Sequence, residues 1–291
     1  MPKYTVKMIL SFGPSGSGSP LSAIPLVLLS GLALVGYIVA ALPGHDAPES
    51  RRSWQRIALT VGWIAHGLSI VADTAGLGSA VIGARFGFAP ALSVTLWLVL
   101  AVYAVESRFV PLTGVRRWLA VLGATAVVLA MVFPGDVRPQ AGSPYAPIHW
   151  VLGIASYGLF GAAVLHGIML NMAEGQMRLK AGGAPVINRG LPLLRLEKLT
   201  FRFVAAGFVT LSATLVLAWW FARPWYWDHK TVFSVLAWVV FAALLAGRRA
   251  FGWRGRLATR WLYFGAVLLL LGYVGSRFVL EVVLHRQPMG Q

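Results

Sequence analysis

The chain has 291 residues, of which 58% are hydrophobic and 12% charged, against roughly 45–50% and 25% in soluble domains. Its mean hydropathy is +0.73, which excludes an ordinary soluble domain, so the net charge of +16 speaks for basic loops and anionic lipid rather than for nucleic acid. No cysteine occurs, and with it go thiol nucleophiles, zinc–thiolate and iron–sulfur sites and the C-x-x-C-H haem attachment motif.

A membrane span needs about 20 mostly apolar residues. Residues 1–19 read as a flexible Gly/Ser/Pro-rich tail, and Pro20–Leu42 is long enough to be a retained helix rather than a cleaved leader. The apolar runs are 21–42, 56–74, 88–106, 115–133, 148–174, 200–222, 230–247 and 257–284. They predict an all-α polytopic membrane bundle of about eight helices, with residues 20–286 as one integral membrane domain in a bacterial inner membrane. Ala75–Phe88, with four glycines and little charge, is expected to re-enter the membrane. Lys and Arg in alternate loops divide 17 to 7, with Arg277 inside the last run. Because basic loops stay cytoplasmic, both termini are expected outside.

That topology sorts the six histidines. His149, His229 and His285 fall at the outer face, His66 and His166 inside the membrane, and His45 in a polar loop. Between the outer histidines lies Arg223-Pro224-Trp225-Tyr226-Trp227-Asp228-His229-Lys230. Tryptophan and tyrosine are common in the interfacial belt of any membrane protein. Neutral imidazole, however, is the usual axial ligand of haem iron, and indoles between two outer histidines supply flat surfaces for a macrocycle. Gly153 and Ser156 lie four and seven residues after His149, on its helix face. Histidines at membrane depth point to function by default. His66 and His166 are therefore candidate ligands of a second, deeper haem, the alternative being neutral rings hydrogen-bonded to Ser, Thr or a carbonyl. Glu106 and Glu174 are expected to pair with Arg108 and Arg178, and Arg277 with Glu281 one helical turn on.

Trp225-x-Trp227-Asp228-x-Lys230 with Trp238 resembles the tryptophan-rich "WWD" segment of the cytochrome c assembly family, the CcsA/CcmC/CcmF type of haem-handling membrane proteins. Gly252-Trp253-Arg254-Gly255-Arg256 is similar to that family's G-W-R-G-R turn, Tyr273-x-Gly275 with His285 to its last helix, and His149-Trp150 with Tyr157 to its upstream histidine. The resemblance spans residues 60–286 and is nearest to the smaller YpjD-like inner-membrane branch. It implies His149 and His285 as axial ligands of non-covalently held haem b, Trp225, Trp227 and Asp228 in a haem-facing loop, and His229 as a substitute ligand. The family's W-D-P-K-E is here Trp227-Asp228-His229-Lys230-Thr231, and Gly247-Arg248 stand where members carry a further histidine. These departures favour a haem chaperone or exporter over a complete lyase.

The expected partners are haem, lipid, and an apocytochrome c or another inner-membrane subunit that supplies the missing thiols. A different class of function is a haem-free or haem-regulated accessory subunit of an inner-membrane ion transporter. A b-type electron-transfer cytochrome ranks last, because His66 and His166 sit at unequal depths. Hydrolase chemistry has little support without H-E-x-x-H or a phosphate-binding glycine loop.

Overall fold

A computed structural model describes residues 20–43, 49–75, 84–107, 115–138, 145–180, 193–221 and 226–284. Within them lie helices α1 (Pro20–Ala41), α2 (Glu49–Thr74), α3 (Phe88–Glu106), α4 (Val115–Val132), α5 (Ala146–Lys180), α6 (Leu193–Phe221), α7 (His229–Phe251) and α8 (Gly255–Val283). All eight are long and apolar enough to cross a bilayer. Four outrun their apolar stretches at the arginine-rich end. α2 begins at Glu49, α5 continues to Lys180, α6 begins at Leu193 and α7 continues to Phe251. Hydropathy marks the part of a helix that suits lipid, whereas backbone hydrogen bonding carries the helix on into the charged zone, where long basic side chains keep their heads in water.

The bundle has two halves. Tyr37, Leu59, Val99, Leu100, Tyr103, Leu119 and Val127 form the core of α1–α4, and Phe160, Phe201, Val204, Phe241, Leu244 and Leu262 that of α5–α8, where Phe160 and Phe241 stack at 3.8 Å. Lipid tails are as apolar as leucine, so helices in a membrane associate through close contact of small residues and a few interhelical hydrogen bonds. Both occur here. A Cβ on Gly36 of α1 would stand 2.7 Å from the Ala58 carbonyl of α2, and one on Gly158 of α5 would stand 2.7 Å from Leu98 of α3. Trp63 and Trp97 stack between α2 and α3, planes 3° apart, and each indole N–H donates to the other's backbone carbonyl at 3.0 Å. Large apolar side chains such as Val35, Val71, Val151 and Val209 line the outside.

Of the segment expected to re-enter the membrane, residues 76–83 lie outside the described residues, and its last part forms a strand. Ala84–Phe86 (β1) pairs antiparallel with Asp136–Arg138 (β2) in a small ribbon at one end of the bundle. The reason is charge and hydrogen bonding: Arg85 meets Asp73 at 2.9 Å, and the pairing satisfies backbone groups that lipid would leave bare. At this ribbon end lie the start of α5, the end of α6, the start of α7 and the end of α8. α8 is not a plain α-helix there. It passes through π-helical turns at Leu271–Gly275 and Val279–Val283.

Candidate functional site

His149 enters the fold one turn into α5, its amide bonded to the Tyr145 carbonyl at 3.0 Å. Its ring is half-buried against α6, with Nδ1 3.2 Å from the Thr214 carbonyl oxygen. A carbonyl only accepts, so Nδ1 carries the hydrogen and the lone pair is on Nε2. A backbone carbonyl on one ring nitrogen is also the usual way a metal-ligating histidine is oriented. One turn along, a Cβ on Gly153 would meet only Thr214 Cγ2, at 3.8 Å. Ser156 turns its hydroxyl back to the Gly153 carbonyl at 2.7 Å. The face of α5 beneath His149 therefore stays thin.

The tryptophan loop joins α6 to α7 at the same end. Tyr226 and Trp227 are 71% and 69% exposed, and Trp219 and Trp220 at the end of α6 are 57% and 64% exposed. Asp228 acts locally, its carboxylate accepting the Thr231 amide at 2.8 Å and capping α7. His229 follows as the exposed first residue of that helix, and the Lys230 ammonium lies over the Tyr273 ring at 5.9 Å. Trp238 faces away from the loop, donating to Ser212 at 2.8 Å and stacking on Phe208. Trp225 and His285 lie outside the described residues, as do His45 and Arg108.

Arg277 is 4% exposed. Its guanidinium reaches Asp136 of β2 at 3.7 Å as well as Glu281 at 4.0 Å. The Glu281 carboxylate in turn stands against Gly87, at the N-terminus of α3, where helix amides favour a negative charge.

The two histidines at membrane depth are sealed. His66 is 1% exposed, with Nδ1 3.0 Å from the Tyr37 hydroxyl of α1 and Nε2 2.7 Å from the Ser93 hydroxyl of α3. His166 is fully buried, with Nδ1 2.7 Å from the Ala162 carbonyl and Nε2 2.7 Å from the Glu106 carboxylate. Both ring nitrogens of each are therefore taken; His66 with Ser93 is the kind of pairing foreseen as the alternative to deep haem ligation, whereas the carboxylate partner of His166 was not foreseen. Glu106 meets His166 and Glu174 lies against Gly255; their expected partners, Arg108 and the side chain of Arg178, are outside what is described. Sequence reasoning missed Tyr37, Ser93 and Glu106 as partners. Tyr37 and Ser93 each carry a hydroxyl inside an apolar run, but so do many residues of these runs, so neither stood out.

Comparison with known proteins adds a separate line. The model of the cytochrome c assembly protein family matches residues 82–284. The chain belongs to the cytochrome c assembly family. Within it, the chain is 26% identical over 262 residues to the inner membrane protein YpjD of Escherichia coli K12, covering 87% of this chain and 97% of that protein. It is 26% identical over 209 residues to an uncharacterised 28.8 kDa protein of Azospirillum brasilense, covering 66% and 76%. To the cytochrome c biogenesis protein CcsA of Synechococcus WH7803 it is 29% identical over 96 residues, about 31% of this chain and 30% of that one. No solved structure matches. Eight apolar helices and these relatives make this member of the family a multi-pass bacterial inner-membrane protein.

Proposed function

We propose that the protein holds haem b non-covalently at the ribbon end of the bundle, with His149 as an axial ligand, and presents it there to an apocytochrome c or another inner-membrane subunit. The observation that carries this reading is the His149–Thr214 contact, because it fixes the tautomer that iron ligation requires and aims the ring from a rigid helix. The donor set fits the group. Imidazole serves the iron, exposed indoles of Trp219, Trp220 and Trp227 serve the porphyrin face, and Lys230 stands near enough to the loop to meet a propionate. His285 is the proposed second ligand, His229 its substitute, and Trp225 an additional loop contact. The 17-to-7 division of basic residues supports an outward-facing ribbon end.

Haem itself supplies the redox-active iron and the vinyl groups that a client's cysteines would attack. This chain has no cysteine, so its own part is to bind, orient and shield. Asp228 contributes by capping α7 and thereby fixing where the tryptophan loop ends. His66 and His166 are left out of the haem site, since ligation there would first break two hydrogen bonds each.

The test is the absorption spectrum of protein purified after haem-replete expression. A Soret band that His149→Ala removes, and that His66→Ala leaves in place, is the expected result. A haem-free spectrum from wild-type protein that co-purifies with a transporter would overturn the reading in favour of an accessory subunit.

A further inference from the structure

Tyr157 lies eight residues after His149 on α5, facing α8. Its hydroxyl donates to the Leu269 carbonyl. In an α-helix that carbonyl is the acceptor for the amide four residues on, that of Tyr273. The hydroxyl therefore bonds to an acceptor of the α8 ladder. Immediately beyond it the helix widens: residues 271–275 form a π turn, and the Ser276 amide reaches back five residues to the Leu271 carbonyl. A side chain inserted into the ladder is a known cause of helix distortion, and single π turns concentrate at functional sites.

We propose that the Tyr157 hydroxyl is the positioning group that sets the register of the last part of α8, and through it the haem-facing end of that helix. The second half of the statement rests on the haem-holding reading above. A π turn spends one more residue than an α turn, so everything beyond Gly275 is rotated by about 100° relative to an unbroken helix. The native register is the one that other contacts need. It turns Arg277 inward to Asp136 and Glu281. In an unbroken helix Arg277 takes the direction now held by Phe278, which is 43% exposed. Ser276 takes the buried place of Arg277. His285, the proposed second ligand, follows directly in the chain. Tyr157 thus links the helix that carries His149 to the helix that leads to His285.

Because the chain has no cysteine, single cysteines at Ser276 and Val282 report the register by thiol labelling of the full-length protein. Tyr157→Phe removes only the hydroxyl. The expected result is that labelling at 276 falls and at 282 rises, each residue behaving like its successor in the wild type, while haem retention drops by about 10–100-fold, the usual cost of losing a group that orients ligands. Deleting Leu271 in the Tyr157→Phe background takes out the surplus residue, and it should restore both the labelling pattern and haem retention. Unchanged labelling in Tyr157→Phe, or no restoration by the deletion, overturns the register assignment. A shifted pattern with full haem retention overturns the positioning role. Wild-type protein without a Soret band would refute the haem reading alone, since the labelling arm does not depend on it.

Discussion

His66 and His149 approach the same end of the molecule on different halves of the bundle, and their surroundings are opposite. His66 is enclosed by α1 and α3 with a hydroxyl on each ring nitrogen. His149 is half-buried, with Nδ1 on a backbone carbonyl. A buried imidazole bracketed by two hydroxyls is a structural cross-link that ties three helices. An imidazole oriented by a backbone carbonyl has the arrangement that the haem proposal needs. Two histidines of equal prominence in the sequence thus play different physical roles, and substitutions separate them.

The largest expected effect is on the ligand side: His149→Ala removes the Soret band while the protein stays folded, as followed by absorbance and size-exclusion profile together. Next, His66→Phe keeps the band and lowers stability. It strands the buried Tyr37 and Ser93 hydroxyls, each unpaired buried group costing about 1–3 kcal/mol, and thermal unfolding in detergent reads the loss. A His66 variant that loses haem at unchanged stability would break the distinction.

Glu106→Ala sharpens it from a third site. Because the Ala162 carbonyl fixes the hydrogen on Nδ1 of His166, the Nε2–Glu106 contact needs one shared proton, carried by the ring or by the carboxyl group. Removing the carboxyl group leaves a fully buried ring nitrogen unpaired, at a cost of about 1–3 kcal/mol, with the haem spectrum unchanged. Glu106→Gln retains a hydrogen-bond partner and should cost less in the same melt. The smallest effect is at Asp228. Asp228→Ala removes the α7 cap for about 1 kcal/mol, whereas Asp228→Asn, which still caps, should leave both stability and haem retention near wild type. Haem loss in Asp228→Asn would give the carboxylate a direct role.

The spans were legible because apolar runs of membrane length leave few alternatives, and α3 and α4 came out within one residue of their expected ends. The helical extensions around Arg178–Arg202 were not, since charged helix and charged loop look alike to hydropathy. Among site residues, His149 and Trp227 stood out by type and position. The fate of His66 did not, because it is decided by Tyr37 and Ser93, 29 residues before it and 27 after. Nor can a sequence show that Tyr157 bonds to a backbone carbonyl of a helix 112 residues further on; the apolar pattern of α8 is the same with or without the π turn.

The reciprocal pair of Trp63 and Trp97 bears on where this protein can be divided. The family model begins its match at residue 82, so that match taken alone would draw a boundary between α2 and β1 and treat the first two helices as an optional leader. The indoles cross that line, as do His66–Ser93 and the contact of Tyr37 with Gly123 of α4. A chain begun at residue 82 would contain the whole family region and still present Ser93 and the Trp97 N–H to lipid with no partner. The contacts of α3 and α4 therefore reach back into α1 and α2, beyond the region that the family model matches.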